Sequence, residues 1–123
     1  MITEDYVSFE IAKLLEEKGF DCECHGYFWI AKDGDAILDY SYSEMDSNAD
    51  RLYYSAPTLQ MAMKWLREIH NLYISIEPNH DKEGLHNAHV RRNWWGHNWD
   101  GIGYKTYEEA CEAAIKYCLE NLI

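Results

Sequence analysis

The chain has 123 residues, 47% of them hydrophobic and 27% charged, which fits one folded domain and excludes a disordered polymer. Eleven basic residues against 22 acidic ones give a formal net charge of −11, which repels phosphate backbones and opposes general nucleic-acid affinity. No segment approaches the ~20 apolar residues of a membrane span, and the acidic opening Thr3-Glu4-Asp5 is unlike a secretory leader. A cytoplasmic setting without membrane association is therefore expected, with the four cysteines reduced.

Residues 3–18 predict a first helix, with Thr3 as N-cap and Ile2 and Val7 as a hydrophobic staple. Val7, Ile11, Leu14 and Leu15 share one face. Gly19 sits where a left-handed residue ends a helix, letting Phe20 fold back onto Leu15. Segments 24–31 and 36–42 predict two strands joined by the turn Lys32-Asp33-Gly34-Asp35. Residues 43–53 are polar and predict an irregular loop.

A second helix is expected to begin near Pro57, whose missing N–H suits a first turn. Its apolar face runs through Leu59, Ala62, Met63, Leu66 and Ile69, and Asn71 can end it. Leu72, Ile74 and Ile76 then alternate with Tyr73, Ser75 and Glu77, the pattern of a half-buried strand. Pro78 to Gly84 predicts a turn, 85–92 a partner strand, and Ile102-Gly103-Tyr104 a short fifth strand. Thr106 and Glu109 spell a capping box for a closing helix with Tyr107, Ala110, Cys111, Ala114, Tyr117, Cys118 and Leu122 on one face. The expected fold is a single α+β domain of order α-ββ-α-ββ(β)-α. About three helices would pack on one mostly antiparallel sheet of four to five strands.

Ala56-Pro57-Thr58-Leu59-Gln60, the run Lys64-Trp65-Leu66-Arg67-Glu68-Ile69-His70 and Thr106-Tyr107-Glu108-Glu109-Ala110 carry a resemblance. So does the first helix, which ends in Glu17-Lys18-Gly19-Phe20. Together they resemble a family of short proteins from Bacteroides-type bacteria and their phages and prophages. The element order is more loosely similar to small phage α/β sandwich domains. The resemblance implies the same fold and carries no catalytic residue or cofactor with it.

Three groups of residues invite chemistry. Arg91, Arg92, Trp94, Trp95 and Trp99 could form a stacking platform, since guanidinium groups beside aromatic faces bind protein surfaces, sugars or bases. The structural alternative is that the tryptophans cover the sheet while the arginines pair with surplus carboxylates. His80, Asp81, His86, His89, His97 and Asp100 crowd into one stretch. Imidazole and carboxylate suit a divalent metal, and His80, His86, His97 and Asp100 would be the ligands. Against that, strand alternation sends His86 and His89 to opposite faces. Cys22-Glu23-Cys24-His25 lacks the second cysteine pair that a structural zinc site uses.

No nucleophile elbow, phosphate loop or dinucleotide fingerprint is present. The favoured function is a non-enzymatic accessory protein, phage- or prophage-like, that binds a protein partner and needs no cofactor. A metal-dependent enzyme built on the 80–100 cluster is the alternative, and an acidic nucleic-acid mimic is another. An uncovered strand edge could also be closed by a second copy as a homodimer.

Overall fold

A computed structural model describes residues 2–40, 53–92, 96 and 98–123. The class is α+β, with nine elements in the order α1 (Phe9–Glu17), β1 (Gly26–Ile30), β2 (Ala36–Asp39), β3 (Tyr53–Ala56), α2 (Leu59–His70), β4 (Leu72–Pro78), β5 (His86–Arg92), β6 (Trp99–Tyr104) and α3 (Tyr107–Asn121). The strands form two three-stranded antiparallel sheets, ordered β2-β1-β3 and β4-β5-β6. The expectation of one sheet with four to five strands is thus corrected to two sheets and six strands. The additional strand is β3, where Phe28 pairs with Tyr54 and Gly26 with Ala56. No helix among the described residues is long and apolar enough to cross a membrane. The chain divides into two compact units, Met1–Thr58 and Leu59–Ile123.

In the first unit, α1 starts at Phe9 and not at the expected Thr3–Glu4. Tyr6 pairs with Thr58 as an isolated bridge, and the Val7 N–H donates to the Pro57 carbonyl at 3.0 Å. That pairing keeps the chain extended through Val7, so Ser8 becomes the cap, its Oγ accepting from the Ile11 N–H at 3.3 Å. Ile2, expected in a staple, is 99% exposed. The helix end is as expected. Gly19 has φ +90, its N–H donates to Glu16, and the Phe20 N–H donates to Leu15 at 2.9 Å, a full Schellman closure. Val7, Ile11, Ala12, Leu15 and Phe20 are buried; burying each large side chain contributes roughly 1.5–3 kcal/mol.

The β1–β2 hairpin closes through a type I turn followed by Gly34 at φ +91, which a side chain at that position would strain. Asp33 Oδ1 accepts from the Asp35 N–H at 3.1 Å and stiffens the turn. Tyr27 and Phe28 sit on opposite faces of β1, yet both are buried. Phe9 meets Phe28 and Tyr54 edge-on at 5.5 and 5.4 Å.

In the second unit, α2 begins two residues later than Pro57 and ends at Asn71, whose left-handed φ of 56 halts it. The β4–β5 ladder alternates cleanly, and the β5–β6 ladder shifts register once, between His86 and Ala88. Leu72, Ala88 and Val90 are fully buried on one face, while Tyr73, Ser75 and Glu77 are exposed on the other. Helix α3 packs against all three strands of that sheet. Thr106 Oγ1 accepts from the Glu109 N–H at 3.0 Å. The reciprocal bond goes from the Lys105 N–H to Glu109 Oε2 at 3.2 Å, one residue earlier than a standard capping box would place it. Ile115 and Leu119, absent from the expected apolar face, are fully buried, whereas Tyr107 is 39% exposed.

Candidate functional site

The clearest polar constellation lies on the open face of the β4-β5-β6 sheet. Ser75, His89 and Asp100 form a direct cross-strand row, since Ser75 pairs with His89 and His89 with Asp100. Glu77 stands diagonally one step along β4. His89 Nδ1 lies 2.5 Å from Asp100 Oδ1, and its Nε2 lies 2.7 Å from Glu77 Oε1. The imidazole of the central strand therefore touches a carboxylate on each edge strand. Hydrogen bonds to Asp100 and Glu77, in that order, raise its pKa above the usual 6.5 and outweigh the opposing effect of partial burial.

Around this row, Tyr73 faces Arg91 across the β4–β5 ladder. Tyr73 is 46% and Ile102 is 72% exposed, and alternation along β6 puts Ile102 on the same side as Asp100. Sequence reasoning singled out His89 and Asp100 but not Glu77. The missing signal was the hairpin register, because Glu77 was already on the polar side of its strand.

Of the expected stacking platform, Arg91, Arg92 and Trp99 are described, and they are divided between the two faces of the sheet. Arg91 and Arg92 are adjacent on β5 and so project to opposite faces. Arg91 joins the open face beside Tyr73. Arg92 pairs with Leu72 on the buried side, and its guanidinium donates to the carbonyl of Leu122, the C-cap of α3. A cation there complements the negative end of the helix dipole. Burial, and secondarily the charge of Arg92, also lowers the His70 pKa and favours a neutral ring, which meets Trp65 edge-on at 4.7 Å.

Trp99 stacks on Tyr117 of α3, with centroids 5.0 Å apart and planes 15° from parallel. A Cβ on Gly101 would strike the Trp99 ring, so that glycine makes room for it. Trp99 thus packs against α3. Trp94 and Trp95 lie outside the described residues.

Of the suggested metal ligands, His80, His86 and Asp100 are described, and these three do not converge. His80 is exposed in the turn after β4. His86 pairs with Pro78 and Tyr104, on the opposite face of β5 from His89. The Asp100 oxygen nearest the row is engaged by His89, and His97 lies outside the described residues. Among the described residues, no three His, Cys, Asp or Glu side chains converge as a metal-binding group.

The thiols divide sharply. Cys22 is exposed, while Cys24, Cys111 and Cys118 are buried. Burial pushes Cys24 and Cys111 up to about 11 and Cys118 to about 12. Those three remain protonated at neutral pH and make poor nucleophiles. In the first unit, a shallow cleft of about 130 Å³ is lined by Ala12, Glu16, Phe20, Tyr53 and Ser55. Small-molecule sites typically enclose ~300–1,000 Å³, so this cleft suits a few waters better than a cofactor.

Compared with protein-family models, curated proteins and solved structures, the chain matches none of them.

Proposed function

We propose that this chain is a small accessory protein that acts by binding a protein partner and not by catalysis. The contact surface in this reading is the open face of β4-β5-β6, with Tyr73 and Arg91 toward one end and Ile102 toward the other. Trp94 and Trp95, which follow β5 in the sequence, are proposed as further contact residues. One observation carries the reading: an uncovered sheet face displays the cross-strand pair of Tyr73 and Arg91 and, farther along β6, a 72% exposed isoleucine. Aromatic and arginine side chains are the commonest anchors of protein interfaces, and an isoleucine this exposed gains most from being covered.

The charge of −11 favours a partner with a basic surface. The phage- or prophage-like setting comes from the resemblance of the first helix end and of the runs within 56–70 and 106–110 to the family described above.

The test uses two variants with the wild-type helical signal in circular dichroism, Tyr73→Ala/Arg91→Glu and Trp94→Ala/Trp95→Ala. A partner captured by the wild-type chain from its native cells is purified and rebound to each. Loss of at least about 30-fold in affinity is expected for the first variant, the loss of one hot spot worth about 2 kcal/mol. A third variant, Lys13→Ala on α1, should bind as the wild type does. Equal binding by the wild type and the Tyr73→Ala/Arg91→Glu variant would defeat this reading.

A further inference from the structure

The His89 contacts constrain its protonation state by geometry alone. A neutral imidazole owns one N–H and one lone pair, whereas a carboxylate offers only acceptors. Distances of 2.5 Å to Asp100 and 2.7 Å to Glu77 place an acceptor within hydrogen-bond range of both ring nitrogens. Both contacts can be favourable together only when both nitrogens carry protons. A neutral ring would donate to one carboxylate and set its lone pair against the other.

From this arrangement we propose that His89 is a proton-operated latch that ties both edge strands of the second sheet to its centre. As an imidazolium it bridges β4 through Glu77 and β6 through Asp100. Once neutral it keeps one of these links and releases the other. The charged groups facing it are Glu77 on β4, Asp100 on β6 and Arg91 two residues along β5. The two carboxylates favour protonation and partial burial opposes it, and the carboxylates prevail. His89 is well placed to respond to solvent pH, because its side chain keeps 21% of its exposure.

The latch is independent of the binding reading, although it lies on the same face. Its consequence is that the edge strands are held more firmly in mildly acidic solution than in alkaline solution. Each unit by which the ring's midpoint exceeds 6.5 corresponds to about a tenfold tighter hold on the proton in the folded sheet.

The experiment is a nitrogen-15 NMR titration of the His89 ring combined with amide hydrogen exchange across β4, β5 and β6. Below its midpoint both ring nitrogens should show protonated shifts, and the midpoint should lie above 6.5. As pH rises through that midpoint, exchange at the β4 or β6 amides should accelerate beyond the intrinsic base-catalysed trend. Glu77→Gln and Asp100→Asn should each lower the midpoint, and His89→Gln should abolish the extra step. A ring protonated on one nitrogen only, a midpoint at or below 6.5, or an undiminished step in His89→Gln would each overturn the latch. If His89→Gln does not fold, the midpoints of the two carboxylate variants decide the matter.

Discussion

The two sheets each have three antiparallel strands but solve burial differently. In β2-β1-β3 the first strand in sequence lies at the centre, and its partner β3 arrives only after residues 40–52. In β4-β5-β6 the strands follow one another as a meander. The first sheet buries consecutive residues, Tyr27 and Phe28, on opposite faces of its central strand and leans on ring contacts such as Phe9 with Phe28. The second keeps one face for the core and leaves the other to solvent. An antiparallel sheet with only one face packed is free to display polar chemistry on its other side. This explains why His89 and its carboxylates are found on the second sheet.

Truncating the core is the strongest way to probe this difference. Phe28→Ala should destabilise the first unit by about 3–5 kcal/mol and Ile115→Ala the second by about 2–5 kcal/mol. Site-resolved hydrogen exchange checks both. If Ile115→Ala leaves the β4, β5 and β6 amides as protected as before, α3 is not what holds that sheet.

A smaller effect tests the tight hairpin of the first sheet. Gly34→Ala places a side chain at φ +91 and should cost about 1 kcal/mol, read from the denaturation midpoint at unchanged slope. An unaltered midpoint would show that the turn does not set the β1–β2 register.

The smallest effect belongs to pH and should touch the second sheet alone. The folded pKa of His89 is raised, so its contribution is complete below about 6.5, the unfolded value, and is lost as pH rises through the folded value. Because Glu77 and Asp100 are partly exposed, at 48% and 36%, solvent screening holds the contribution to about 1 kcal/mol or less. Comparing urea unfolding of wild type and His89→Gln across that range isolates it.

Much of the scaffold was readable because it follows local rules. The left-handed stops at Gly19 and Asn71, the Thr106 cap and the Leu72-Ile74-Ile76 alternation each declare themselves within a few residues. Strand β3 did not. Tyr53-Tyr54-Ser55-Ala56 is short, and its first three residues are all half-buried, so no two-residue alternation marks it. The start of α1 was misplaced because Thr3 and Ser8 are both good caps. A contact with Pro57, some fifty residues away, decides between them.

At the candidate site the ingredients were visible and their meeting was not. Glu77, His89 and Asp100 come from three strands, and a register slip of one residue would send any of them to the other face. The Arg92 bond to Leu122 likewise depends on where α3 ends relative to the sheet.

The pleat of β5 turns Arg91-Arg92 into two unrelated devices. One guanidinium reaches the carbonyl that ends a helix. The other stands on the opposite face, across from Tyr73. A doublet that looks like a basic patch in one dimension therefore leaves the open face with one of its two charges. A polyanion would find no continuous track across this face.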